Sequence, residues 1–260
     1  MIAQFSLRLI CGMSLMWVLM PRNQVTAGFF RIQMLVVLGL GILAALTVEI
    51  GGSPDANLAD NALLSQSAAA VLCGTIAAAA FLGSVFWTLE RRRAGTAMVF
   101  LIAALSACLL PAVTVDEAGF SSARGVLRVL SEWSSAAMLG AAVTGMLLGH
   151  WYLTAPTMSI APLSRLNVYF AAAALVRLLL SAAGLWLLRE HSIGSTQGLW
   201  LSMRWLAGIL GPICVVIMVW RILKYRNTQA ATGVLFVGVI LTFIGEMSAS
   251  LLYHDLRLPL

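Results

Sequence analysis

Four ionisable residues lie inside long apolar stretches of this 260-residue sequence: Arg8, Arg177, Arg204 and Glu246. Placing such a residue within a membrane helix costs at least about 2.5 to 3.5 kcal/mol on insertion scales, so each is a candidate for function. A guanidinium group donates hydrogen bonds to carbonyl, phosphate and carboxylate oxygens, and a carboxylate accepts protons or hydrogen bonds. These residue types therefore predict a polar site at membrane depth.

Arg204 and Glu246 are expected to pair, because the two apolar runs that carry them are consecutive and antiparallel. The pair has two interpretations, a structural ion pair between helices or one part of a binding site. No other carboxylate lies well inside an apolar run, so Arg8 and Arg177 are expected to have no acidic partner. Surplus positive charge favours a pocket for an electronegative group, such as a quinone carbonyl, a lipid phosphate or an anionic solute.

The composition places these residues in a membrane protein. Hydrophobic residues make up 61% of the chain and charged residues 10%, which is typical of a polytopic membrane protein and not of a water-soluble domain. The four cysteines are scattered singly and form no metal-binding pattern with the three histidines. We therefore predict an all-α, multi-pass protein of a bacterial-type cytoplasmic (inner) membrane. Residues 1–260 are expected to form one transmembrane domain that contacts lipids and not nucleic acid.

Eight apolar runs are each about long enough to cross 30 Å of hydrocarbon, which takes about 20 residues of helix. Short polar breaks separate them, and they lie at residues 2–20, 28–49, 65–88, 95–112, 131–151, 166–188, 198–220 and 230–252. The first run is predicted to be a retained helix rather than a signal peptide. The reason is that Pro21, Arg22 and Asn23 follow it where a cleavage site would lie.

Basic residues are concentrated in alternate loops, which predicts the orientation of the chain. One set of loops holds nine Lys and Arg residues, and the other set, with the C-terminus, holds four. Because cytoplasmic loops carry the excess, the first set is expected in the cytoplasm and both termini outside. Tryptophans at the predicted inner helix ends are expected to lie at the membrane interface: Trp17, Trp87, Trp151 and Trp220.

The predicted helix ends also give the depth of each candidate residue. Counted at about 1.5 Å of rise per residue, three of them lie roughly 9 Å below the outer face: Arg8, Arg204 and Glu246. Arg177 lies deeper, near the midplane. His150 lies about one turn inside the cytoplasmic boundary, where it either binds a ligand or forms an interfacial hydrogen bond. The helix that carries His150 is expected to end before Pro156 and Pro162.

Several kinds of chemistry have no support in the sequence. A transmembrane b-type haem needs paired intramembrane histidines, and only His150 comes close. The sequence contains no P-loop, no GxSxG nucleophile elbow and no HExxH zinc motif. We therefore expect that this chain binds no haem or metal, and that any catalytic partner is another subunit.

The final apolar run, FIGEMSASLLYHDLRLPL, resembles the last span of membrane-anchor subunits of dimethyl sulfoxide and polysulfide reductase-type complexes. Those anchors are eight-helix bundles with both termini outside. Their last span often carries a Gly-Glu pair followed by a basic residue and an aromatic pair. Gly245, Glu246 and Tyr253 match this pattern, whereas Ala249 or Ser250 stands where the basic residue is expected.

The resemblance implies a quinol site near the outer face, from which electrons pass to an iron–sulfur subunit docked there. Glu246 would take or relay a proton, and Arg204 or Arg177 would donate a hydrogen bond to a quinone oxygen. Arg8 and His150 complete the set of candidate cofactor-binding residues. The leading hypothesis is therefore a quinone-interacting membrane subunit of a multi-subunit electron-transport complex.

Two alternatives use the same residues differently. In a transporter, the arginines would bind a small anionic solute or a lipid, and close glycine pairs such as Gly208 with Gly211 would allow helices to slide or break. The other alternative is a membrane scaffold subunit without catalysis, in which Arg204 and Glu246 form only a structural ion pair.

Overall fold

The computed structural model describes residues 1–50, 64–114, 123–155, 157–188 and 194–256. This part of the chain forms eight α-helices and no strand. They are α1 (Ile2–Leu19), α2 (Ala27–Ile50), α3 (Gln66–Thr88), α4 (Arg92–Thr114), α5 (Ala123–Trp151), α6 (Ala161–Leu188), α7 (Ser195–Lys224) and α8 (Thr228–Leu256). The predicted all-α polytopic membrane fold is confirmed.

Seven of the described helices, α1 to α4 and α6 to α8, are long and apolar enough to span a membrane. The remaining helix, α5, has 29 residues but is less apolar, because it carries Arg128, Glu132 and several serines. It begins at Ala123 rather than at the predicted residue 131, so that Glu132 lies well inside the helix and not in its first turn. Ser131 and Glu132 are buried in protein.

The distribution of polar and apolar side chains also fits a lipid environment. Large apolar side chains such as Phe81, Leu179 and Ile240 are exposed on the helices, whereas Ser106, Arg204 and other polar side chains are buried. A water-soluble protein shows the opposite arrangement. The exposed apolar surfaces are therefore expected to contact lipid.

The chain divides into two compact units, Met1–Ala136 and Ala137–Leu260. In the first unit, α1 packs against α2 and α4, and α3 packs against the same two helices, so that the four form a closed ring. Trp87 stacks on Phe30 with ring centroids 4.5 Å apart. Trp17 and Trp87, which were expected at the membrane interface, are buried in the core of this unit. The single transmembrane domain stays a prediction.

In the second unit, α7 packs against both α6 and α8, and α7 and α8 approach most closely at two glycines. A Cβ atom added to Gly208 would lie 2.6 Å from the Cα of Gly245, and one added to Gly245 would collide with Gly208. Only glycine at both positions allows this backbone contact, as is typical of close helix pairs in membranes.

One turn of α7, Leu206–Leu210, is π-helical, and the N–H of Gly211 donates to the carbonyl of Leu206 five residues earlier. Pro212 follows this turn. Proline has no N–H group for the carbonyl four residues earlier, and its ring would clash with that carbonyl in a regular helix. The wider turn accommodates Pro212 without ending the helix.

The connection between α5 and α6 is held by a buried tyrosine. The hydroxyl of Tyr152 donates a hydrogen bond to the carbonyl of Ser159. Burial raises the pKa of Tyr152 to about 12, although a backbone hydrogen bond at Leu163 acts in the opposite direction. Pro162 lies in the first turn of α6, which agrees with the prediction that the helix carrying His150 ends before this proline. Pro156 lies outside the described residues.

Replacing Gly245 by alanine is expected to destabilise the protein by about 1 to 3 kcal/mol, because the new methyl group would push α8 away from α7. Gly233→Ala is the matched control, since it lies on the same helix with nothing within 4 Å of the added Cβ. Denaturant unfolding in detergent, followed by circular dichroism, measures both free energies. Equal stability of the two variants would show that the glycine contact is not required.

Tyr152 is expected to ionise only near pH 12 in the folded protein, well above the value of about 10 for an unfolded chain. Its contribution to stability is therefore fully present below about pH 10 and is lost as the pH rises towards 12. Ultraviolet absorbance of tyrosinate follows the titration, and Tyr152→Phe should remove its most alkaline step. If the most alkaline step had the same size in Tyr152→Phe as in the original protein, it would belong to another tyrosine.

Candidate functional site

Glu246 on α8 lies between two arginines. Arg177 donates from Nε to Oε1 at 3.0 Å and from Nη2 to Oε2 at 2.9 Å. Arg204 donates from Nη1 to Oε1 at 2.8 Å, and from Nη2 to the hydroxyl of Ser181 at 2.9 Å. We refer to Arg177, Ser181, Arg204 and Glu246 as the Glu246 cluster.

Three helices bring the cluster together. Arg177 and Ser181 are four residues apart on α6, so their side chains lie on one face of that helix. Arg177, Arg204 and Glu246 each lie roughly 15 Å from the nearer end of their helix, which places them at one level. Glycine at 208 also leaves room for the arginine, because a Cβ atom there would lie 3.0 Å from Nη1 of Arg204.

The cluster is shielded from solvent. Arg177 is 2% exposed, and Arg204 and Glu246 have no exposed surface. Removing such ions from water costs several kcal/mol each, which mutual attraction offsets only when the hydrogen-bond geometry is good. Two guanidinium groups and one carboxylate give these three side chains a formal charge of +1. The cluster therefore concentrates hydrogen-bond donors and positive charge at membrane depth.

The structure confirms one prediction about these residues and corrects two. Arg204 and Glu246 pair as expected. Arg177 was expected to lie deeper than this pair and to have no acidic partner, but its guanidinium binds Glu246 directly. The depth prediction failed because α7 begins at Ser195 and not at 198, and α8 runs to Leu256 and not to 252. Arg204 and Glu246 therefore lie deeper than predicted, at the level of Arg177.

Arg8 also has an acidic partner, which the sequence analysis missed. Its Nε and Nη2 atoms donate to the two carboxylate oxygens of Glu132, each at 2.6 Å, and Gln4 donates to the same carboxylate at 2.9 Å. Gln4, Arg8 and Glu132 all lie within the first unit. A signal was present, since Arg128, Ser131, Glu132 and Ser135 follow helical spacing and share one face of α5.

His150 is not brought to the Glu246 cluster. It is exposed at the C-terminal end of α5, beside the connection to α6. Arg177 lies roughly 24 Å along α6 from that connection, at about 1.5 Å of rise per residue. His150 therefore cannot belong to the same binding site in this arrangement.

Thr242 is a functional candidate that sequence reasoning did not identify. It lies one turn from Glu246 on the same face of α8 and is fully buried. Its hydroxyl has no hydrogen-bond partner in the described part of the chain. An unsatisfied buried hydroxyl costs about 1 to 3 kcal/mol, so Thr242 adds a polar group that a ligand oxygen could satisfy. Its position one helical turn before Glu246 was the feature of the sequence that could have identified it.

Two cavities in the described part of the chain lie away from the Glu246 cluster. The larger has a volume of about 700 Å³ and is formed by the α5–α6 connection and the turn between α7 and α8. The smaller has about 420 Å³ and is lined by residues of the first unit, including Arg22, Trp87 and Arg92. None of the cluster residues lines either cavity. Within the described ranges, no three His, Cys, Asp or Glu side chains come together to hold a metal ion.

Replacing Glu132 by leucine is expected to destabilise the protein by about 3 to 5 kcal/mol, because Arg8 would remain buried without its carboxylate. The double variant Arg8→Met/Glu132→Leu should recover most of this loss, since neither ion is then left alone. Unfolding in detergent measures the two free energies. If the double variant were as unstable as the single one, packing rather than charge pairing would explain the effect.

No family model, curated protein sequence or solved structure matches this chain. The resemblance of the last helix to reductase membrane anchors therefore stays a prediction. The candidate site is defined by its geometry: a buried carboxylate accepts hydrogen bonds from two arginines at the contact of three membrane helices, and one of these arginines also donates to a serine.

Proposed function

We propose that this multi-pass membrane protein is a quinone-interacting subunit of an electron-transfer complex, and that the Glu246 cluster is its quinone site. The observation that carries the proposal is the set of hydrogen bonds in the cluster. Two buried arginines donate to one carboxylate, so guanidinium donors and a proton acceptor lie together at membrane depth. An electronegative oxygen would accept hydrogen bonds from such donors.

The donors and acceptors of the cluster suit a quinone. Quinol, when bound, supplies two electrons and two protons. Arg204 and Arg177 provide guanidinium N–H groups that can hold an oxygen, and the buried hydroxyl of Thr242 provides one more. Glu246 is the carboxylate on which a proton can be held. Hydrogen-bond donors and a proton acceptor therefore lie together within one small region.

The shared carboxylate couples oxygen binding to proton binding. Oε1 of Glu246 accepts hydrogen bonds from both Arg177 and Arg204. If Arg204 turns a donor towards another oxygen, Glu246 loses part of the charge that stabilises its ionised form. The carboxylate then holds a proton more readily. Binding of an oxygen by Arg204 would thus prepare Glu246 to accept a proton.

A membrane-dissolved ligand could approach the cluster from the lipid. Leu206 and Leu210 of the π-helical turn are exposed, whereas Gly208 and Ile209 of the same turn face inward. Arg204 lies just before this turn, so only α7 itself lies between the arginine side chain and the lipid. π-Helical turns often occur at functional sites, because their weaker hydrogen bonding permits local adjustment. The π-helical turn of α7 is therefore the expected entry point for the ligand.

The competing function is a scaffold, in which the cluster only joins helices. The closed packing of the cluster favours it, since Arg204 and Glu246 have no exposed surface. A scaffold role predicts that subunit assembly is the only property affected by substitutions. The two functions therefore differ in their response to a variant that removes one guanidinium group and keeps the Arg204–Glu246 ion pair.

Arg177→Met is that variant, because it leaves Arg204 and Glu246 as a neutral pair. We expect binding of a short-chain quinone to the purified complex in nanodiscs to weaken roughly 10- to 100-fold, the cost of one charge-assisted hydrogen bond. Glu246→Gln should abolish quinol turnover for lack of a proton acceptor. Thr232→Val is the control, a buried threonine on α8 that bonds only its own helix.

Assembly is checked by co-purification of partner subunits and by thermal unfolding of each variant. Loss of quinone binding in assembled Arg177→Met complexes, with Thr232→Val unchanged, supports the quinone site. Normal quinol turnover in both Arg177→Met and Glu246→Gln would instead leave only the scaffold function.

A further inference from the structure

A polar groove in the second unit lies far from the Glu246 cluster. It has a volume of about 700 Å³ and is formed by two segments, the connection between α5 and α6 and the turn between α7 and α8. Tyr152, Thr157 and Ser159 line it on one side, and Lys224, Arg226 and Thr228 on the other. We refer to it as the cationic groove.

The groove carries positive charge and no negative charge of its own. Lys224 and Arg226 line it, and none of its lining residues is acidic. Ala161 and Thr228, the first residues of α6 and α8, also line it, so two helix N-termini add partial positive charge. The hydroxyls of Thr157 and Ser159 add neutral hydrogen-bonding groups. Such a set of groups suits a phosphate.

Arg226 lies in a short turn with a left-handed backbone, which limits the residues that can replace it. Arg226 has a φ angle of 54°, in the left-handed region that glycine and asparagine adopt most readily at the end of a helix. An arginine there costs more than a glycine, since its Cβ crowds the backbone. Glu90, in the turn between α3 and α4, has almost the same φ angle of 55°, so this backbone is a feature of the short turns between helices.

Aromatic side chains place the groove at the level of the lipid headgroups. Trp220 is 52% exposed and Tyr225 is 85% exposed, both on the segment that carries Lys224 and Arg226. Nζ of Lys224 lies 3.7 Å from the centre of the Trp220 ring. Exposed tryptophan and tyrosine side chains of membrane proteins concentrate at the interface between headgroups and hydrocarbon.

We propose that the cationic groove binds the phosphate headgroup of an anionic phospholipid. Lys224 and Arg226 would pair with the phosphate oxygens, and the acyl chains would lie along the exposed apolar surfaces of α7 and α8, where Met218 and Phe236 are examples. Basic pockets between helix ends on the cytoplasmic side are a known form of lipid-specific recognition. The site shares no residue with the Glu246 cluster and does not depend on its function.

The test compares two double variants that remove the same charge. Lys224→Gln/Arg226→Asn removes the cations of the groove, and asparagine tolerates the left-handed backbone at position 226. Arg165→Gln/Arg221→Gln is the matched control, two exposed arginines on α6 and α7 that do not line the groove. The full chain in a neutral detergent is titrated with short-chain phosphatidylglycerol, and the dissociation constant is measured by thermal shift.

The groove variant should bind phosphatidylglycerol roughly 30-fold more weakly, as expected for two basic residues near a membrane surface, and the control should bind almost normally. Equal weakening in both variants would overturn the proposal, since it would indicate diffuse attraction by surface charge. Inorganic phosphate is titrated in parallel. If it bound as tightly as the lipid, the groove would be a free-anion site and the lipid assignment would fail.

Discussion

A carboxylate held between two guanidinium groups, away from water, is the constraint on which the second unit depends. Glu246 is buried on α8, and α6 and α7 each bring a cation within hydrogen-bonding distance of its carboxylate. A slide of any of these helices by one turn, about 5.4 Å, would break a pair and leave a buried ion. The cluster therefore sets the register of three helices. It need not add stability, since apolar residues of similar volume often pack as well.

The features that could be predicted from the sequence are those that depend on neighbouring residues. Helix number followed from the length of each apolar run, and the Arg204–Glu246 pair followed because α7 and α8 are consecutive. Arg204 and Glu246 were placed too close to the outer face, and Arg177 was therefore expected to lie deeper than this pair, since an error of a few residues at a helix end moves a side chain by several ångströms. Arg8 and Glu132 are 124 residues apart. Their pairing depends on the start of α5 and on tertiary packing, which local patterns do not contain.

The backbone next to the cluster shows why side-chain reasoning alone is insufficient. Arg204 reaches Glu246 where Gly208 and Gly245 bring two helix backbones together, and a methyl group at either glycine would meet the other helix or the guanidinium. The turn of α7 that precedes Pro212 is the wider, π-helical one. A close backbone contact, a weakened turn and a buried charge therefore occur together within nine positions of α7, at a glycine, a proline and an arginine.

Two buried carboxylates in the described part of the chain are held by different sets of donors. Glu132 accepts two hydrogen bonds from Arg8 and one from the amide of Gln4. Glu246 accepts hydrogen bonds from two guanidinium groups, those of Arg177 and Arg204. Each buried cation has a cost at membrane depth. Under the proposed function, the oxygen of a bound ligand would accept hydrogen bonds from these guanidinium groups, so that part of this cost would be recovered as binding energy.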